Sequence, residues 1–218
     1  MKKQSIANLL VIVLALSPLI YLYTSWSSIP ENFVFKFEFN HAIEQNQTRN
    51  SLLIATIVLS AVSALLYLLM RNLKRIDPKV NDATPKSSFN KLGLSITVFM
   101  IILNFLIIQS AISGWVIDSN VATCFFGVLV ILIGNYMNNL KPNFIAGIRL
   151  PWTLNDPENW RKTHQLAGKL WFAAGVLLVV ISFLLPKNFL LPTMFALIAL
   201  IVIIPGLYSY RIYRNKLS

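Results

Sequence analysis

The chain reads as an all-α, polytopic membrane protein, a bundle of six transmembrane helices, and three observations carry that expectation. Of its 218 residues 56% are hydrophobic and 12% charged, with a mean hydropathy of +0.65; a soluble domain carries roughly 25% charged residues. The apolar residues are gathered into blocks, and about 20 residues of helix cross a bilayer core. The formal charge of +11 is distributed unevenly between the loops that separate those blocks.

The first block, Ile6 to Tyr23, follows Met1-Lys2-Lys3 and ends near Tyr21, Tyr23 and Trp26, aromatics suited to a membrane interface. It exceeds the roughly 7–15 apolar residues of a signal peptide and lacks a small-x-small cleavage site, so an uncleaved helix is expected. Trp26 to Asn50 is polar, but Phe33, Phe35, Phe37 and Phe39 alternate. They share one face of a short strand or interface-lying hairpin. His41 reads as a solvated loop residue.

Leu52 to Met70 is the second helix, with Ser60 and Ala64 spaced for close approach. Arg71 to Lys91 is a basic loop, and Leu92 to Ile117 is the third helix, carrying Asn104 and Gln109. Those amides are expected to hydrogen-bond neighbouring helices rather than line a path. Gly114 to Asn120 is a turn containing Asp118 at the outer boundary. Val121 to Met137 is the fourth helix, with Thr123, Gly127 and Gly134 near one face. Leu166 to Leu185 is the fifth, Pro186-Lys187-Asn188 a tight connection, and Phe189 to Tyr210 the sixth, with Pro205-Gly206 expected to kink it.

Six crossings put both termini on one side. All of the 19 Lys and Arg except Lys36, Arg49 and Lys187 then fall on that side, which the positive-inside rule makes cytoplasmic. Localisation is therefore the cell membrane, multi-pass, with both termini cytoplasmic. Topology accounts for the +11, so no direct nucleic-acid partner is expected. Membrane lipids are partners by default, since each cation near an anionic surface gains about 1 kcal/mol.

Apart from Lys169, the expected spans hold no Asp, Glu, Lys, Arg or His, which argues against a pump or proton-coupled carrier. The lone Cys124 offers no disulfide.

The most particular stretch is Gly134 to Trp171. Asn135, Asn138 and Asn139 cluster at the inner end of the fourth helix, and Lys141-Pro142 stops it. Gly147 permits an unusual backbone angle, Pro151 holds Leu150 extended, and Arg149 projects between them. Asp156-Pro157-Glu158 is a helix start with Asp as N-cap. Trp160, His164 and Gly168 follow at i+4 spacings. A hydrolase would draw on His164, Asp156, Glu158, Thr153 and Thr163, but their spacing matches no nucleophile–base arrangement. No catalytic residue, metal site or cofactor is assigned. Two readings remain open: a brace in which Arg149 caps helix ends while Trp152 and Trp160 anchor at headgroup depth, or a grip on phosphate through Arg149 and Lys141. The second would suit a small transporter or lipid-handling protein.

The run LKPNFxxGIRLPWTL followed by Trp160 and KTHQLAGKLW resembles the SdpI-type immunity proteins, bacterial membrane proteins that protect a producer from its own secreted cannibalism peptide. The matching residues are Asn138, Pro142, Asn143, Gly147, Arg149, Pro151, Trp152, Thr153, Trp160, His164 and Gly168. The resemblance covers about Leu92 to Tyr210. It divides the chain into an N-terminal two-helix module with an outer loop, 1–91, and an SdpI-like four-helix region, 92–218. What it implies is a non-enzymatic membrane immunity protein giving resistance to a secreted antimicrobial peptide. It further implies signalling by capture of a cytosolic repressor. The GIRLPWT loop would lie on the cytoplasmic face, where a secreted peptide does not first arrive, and so reads as an inner hub.

Overall fold

The computed structural model describes residues 2–38, 42–80 and 86–217. Phe39 and His41 lie outside them. The chain is predominantly helical and forms two compact units, Met1–Met70 with Gly93–Ser119, and Arg71–Leu92 with Asn120–Ser218.

In the first unit α1 (Lys2–Thr24) leads through a short 3-10 turn into a hairpin of β1 (Asn32–Glu38) and β2 (Ala42–Thr48). The pairing is antiparallel, Phe33 opposite Gln47 and Phe37 opposite Ile43. The expected hairpin is present. A third strand, β3 (Ile117–Asp118), joins the sheet parallel to β1, giving the order β2-β1-β3. The turn expected from Gly114 to Asn120 therefore holds a strand, which two residues are too few to reveal by periodicity. Gly114, at φ +67°, reverses the chain just before it. The chain is predominantly helical, in line with the expected all-α class, and carries a small sheet in addition.

Helix α2 (Arg49–Arg71) starts where it does because Thr48 and Ser51 cap it reciprocally, each hydroxyl accepting the other's backbone N–H at 3.1 Å. Helix α4 (Lys86–Ser113) contributes most of its length to this unit. Asn104 Nδ2 donates to the Thr56 carbonyl at 3.3 Å and the Ser60 hydroxyl at 3.2 Å. Tyr21 Oη donates to Gln109 Oε1 at 2.7 Å. Both amides thus bond neighbouring helices, as expected. Leu22, Ile29, Leu52, Ile108 and Ala111 form the buried cluster. Gly93 lets α4 approach α2, since a Cβ there would come within 2.9 Å of Met70 Cβ. Most of α4 packs with α2.

The second unit opens with α3 (Leu73–Ile76), a single helical turn inside what reads as an irregular basic loop. It continues through α5 (Ser119–Met137), α6 (Pro151–Asn155), α7 (Pro157–Leu184) and α8 (Lys187–Asn215). Helices α5 and α7 meet along glycines: a Cβ at Gly134 would lie 2.5 Å from Phe172 N, and one at Gly175 2.7 Å from the Gly127 carbonyl. Close backbone approach of this kind is how helices pack where lipid removes the hydrophobic drive. Val130, Ala174, Leu178 and Ile201 close the core beside it.

Among the described residues five helices are long and apolar enough to cross a membrane: Arg49–Arg71, Phe89–Ser113, Ser119–Met137, Pro157–Leu184 and Lys187–Asn215. The apolar part of α1, Asn8–Thr24, is shorter. Large apolar side chains such as Ile54, Leu65, Phe183 and Leu207 point outward, each more than 60% exposed. Water would penalise such a surface and lipid does not. The chain is a multi-pass membrane protein.

Candidate functional site

The segment from Leu140 to His164 folds back on itself, and its buried polar side chains hold the shape. Asn143 is fully buried: Oδ1 accepts the N–H groups of Ile145 at 2.9 Å and Ala146 at 2.6 Å, while Nδ2 donates to the Lys141 carbonyl at 2.8 Å. This Asx turn follows directly from Pro142, which ends the backbone ladder. Buried Asp77 accepts the Phe144 N–H from across the unit, and Lys79 Nζ donates to the Leu154 carbonyl and sits 4.8 Å from the centre of the Phe144 ring.

Gly147 and His164 form the tightest contact. Gly147 has φ +109°, and a Cβ there would lie 2.3 Å from His164 Nε2. His164 Nδ1 is 2.8 Å from the Trp160 carbonyl. A carbonyl only accepts, so Nδ1 carries the proton and Nε2 accepts the Ile148 N–H, 3.0 Å away. Both ring nitrogens are therefore spent on backbone. The ring stacks on Trp160 with centroids 4.0 Å apart and planes at 17°. Trp160 itself is buried and donates Nε1–H to the Leu140 carbonyl at 2.8 Å.

Pro151 is the first residue of α6, where its missing N–H is not needed. Thr153 caps that helix from inside: its hydroxyl accepts the Leu150 N–H at 2.9 Å and donates to the Ile148 carbonyl at 2.8 Å. Trp152 then reaches α8. Its Nε1–H donates to Ser209 Oγ at 2.6 Å, and its ring stacks on Tyr213 at 5.6 Å and meets Tyr210 edge-on at 5.4 Å. Asp156 caps α7 as expected, accepting from Glu158 and Asn159. Helix α7 begins at Pro157, at the start expected from Asp156-Pro157-Glu158, and runs on through the apolar block from Leu166. Lys216 bonds Asp156 and Glu158, each at 2.8 Å. That ammonium holds the Asp156 carboxyl below its ordinary 3.8, with burial opposing and the two N–H groups adding.

The candidate residues divide in two. Asn143, Thr153, Trp160, His164 and Gly168 are buried, and Gly168 gives α7 room beside the Gly134 carbonyl and Asn138 N. Asn138, Gly147, Arg149 and Pro151 reach the surface, with Pro142 and Trp152 half-buried. Arg149 Nη1 donates to the Phe144 carbonyl, so it braces its own loop. Asp77, Lys79, Asn159 and Ser209 are part of the hub and carry no sequence signal, except that Asn159 and Thr163 stand at i, i+4; their side chains bond at 3.0 Å.

Residues 139–209 match the SdpI/YfhL protein family. This part of the chain is similar to that family. It spans the segment from Leu140 to His164 with α6, the rest of α7, and α8 to Ser209. The immunity protein SdpI of Bacillus subtilis (strain 168) is 33% identical over 89 residues, 41% of this chain and 42% of that protein. The alignment thus spans less than half of the relative's length. No solved structure matches the chain.

Proposed function

We propose that the protein is a membrane immunity protein that gives resistance to a secreted antimicrobial peptide of the cannibalism type, and that it is not an enzyme. The observation that carries this reading is the coincidence of the SdpI/YfhL match with the one densely hydrogen-bonded polar hub of the second unit. Its chemistry supports a non-catalytic role: both His164 nitrogens serve backbone groups, and Asp156 is occupied by Lys216 and by helix N–H groups. In this reading the hub lies on the cytoplasmic side with both termini, and the exposed residues Arg149 and Pro151 transmit the protected state to a cytosolic repressor.

Expression in a host sensitive to such a peptide tests the reading. Survival above empty vector is expected, and unchanged survival removes the immunity claim for that peptide. Arg149→Ala at normal membrane levels is expected to lower survival or repressor recruitment. Full retention of both would assign Arg149 to bracing the loop alone. The alternative is a small transporter or lipid-handling protein that grips phosphate through Arg149 and Lys141; lipid or solute flux in reconstituted vesicles, abolished by Arg149→Ala, would favour it.

A further inference from the structure

Beside the hub, between the end of α5 and the first two turns of α7, lies an open pocket of about 660 Å³. Asn138, Asn139, Lys141, Arg161 and Gln165 line it together with Trp160 and Glu158. Among the described residues, the side chains of those first five make no hydrogen bond or ion pair within the protein. Their neighbours contrast sharply: Asn143, Asn159, Thr163 and His164 are all buried and bonded. Glu158 is the one acid in the lining, and its charge is answered by Lys162 at 2.9 Å and Lys216 at 2.8 Å. The pocket therefore presents two uncompensated cations and three amides over the edge of a buried indole.

We propose that this pocket binds the phosphate group of an anionic phospholipid headgroup through Lys141 and Arg161, with Asn138, Asn139 and Gln165 donating to its oxygens. Phosphate needs a planar fork or a point cation together with further donors, and this lining holds one of each cation. Depth favours lipid as the source. Helix α5 ends at Met137, where its apolar span ends, so the pocket sits where a crossing helix meets the headgroup layer. The site is separate from the Arg149 face and does not rest on the immunity reading.

The test uses the full-length protein purified in a non-ionic detergent, with native mass spectrometry and fluorescence titration of phosphatidylglycerol, phosphatidylcholine and inorganic phosphate. Phosphatidylglycerol is expected to bind, and phosphatidylcholine weakly or not at all. Lys141→Gln with Arg161→Gln should weaken phosphatidylglycerol about thirtyfold, equivalent to about 2 kcal/mol. Lys141→Arg with Arg161→Lys, which keeps both charges, should restore most of the binding and guards against a folding artefact. Arg214→Gln removes a cation outside the pocket and should leave binding unchanged. Inorganic phosphate binding as tightly as the lipid, with the same dependence on Lys141 and Arg161, would keep the phosphate site but overturn the lipid as its source. Equal lipid binding by wild type and the double Gln variant, or equal loss with Arg214→Gln, would overturn the site itself.

Discussion

At Gly147 two independent restraints meet. The backbone stands at φ +109°, and the space a methyl group would need is filled by the His164 ring. Backbone placement in such a region costs of order 1–3 kcal/mol for a residue with a Cβ, and the clash adds to it. Gly147→Ala should therefore lower the thermal midpoint of the purified protein by several degrees. Gly206, inside α8 with nothing within 4 Å of a Cβ, is the matched control. Gly206→Ala should leave the midpoint unchanged or raise it, since Ala exceeds Gly by about 0.5–1 kcal/mol in a helix. The Gly was legible as a special position from the sequence. Its partner His164 was legible only as a residue of interest, because nothing in the spacing says which two backbone groups its nitrogens will meet.

The Asp156–Lys216 pair is also a residue-scale matter, and its pH dependence has a definite sign. Asp156 is depressed below 3.8, so its contribution is full above that value and fades as pH falls through the depressed one. Lys216 is raised above 10.5, first by Asp156 and then by Glu158. Its contribution is full below 10.5 and is lost as pH rises through the raised value. Docking of the α8 end should be flat between pH about 5 and 9. Hydrogen exchange over 211–217, corrected for intrinsic rates, checks this. Lys216→Ala should raise exchange there throughout the window, modestly because the groups are exposed.

Between elements, α7 repairs a defect in α8. Pro205 has no N–H to give the Ile201 carbonyl four residues earlier. Trp171 Nε1 donates to that carbonyl instead, at 2.9 Å. Trp171→Phe should cost about 1–3 kcal/mol, the penalty of a buried carbonyl left unpaired. In a Pro205→Ala background the backbone N–H returns, and the same substitution should cost clearly less. A double-mutant cycle by unfolding in detergent measures the difference, and equal costs in both backgrounds would refute the pairing. Sequence patterning located both helices and flagged Pro205. It could not pair them, because an indole N–H seeking a carbonyl leaves no periodic mark. The same holds for α6 and β3, which are short and depend on contacts distant in the chain.

Across the whole molecule, the proposed topology rests on α1 crossing the bilayer as well as the five longer apolar helices. In that proposal six crossings place both ends on the cytoplasmic side. With Cys124→Ser as background, single cysteines replacing Ser5 and Ser218 should both resist a membrane-impermeant thiol reagent until cells are permeabilised. Labelling of the Ser5 position alone would mean that α1 lies at the interface and that five helices cross.

The sequence by itself determined that the protein lives in a membrane and where its long apolar helices lie, and it marked Gly134 to Trp171 as the most particular stretch. Those properties follow from composition and period, which act locally along the chain. Tertiary structure alone decided that the GIRLPWT segment contains a helical turn, that His164 and Asn143 are internal struts, and that Arg149 faces Phe144 while Lys141 and Arg161 share a pocket. The physical reason is that a buried polar group must be satisfied by whichever partner the fold brings within about 3 Å. In this hub those partners come from Asp77, Leu140 and Ser209, residues far apart in sequence.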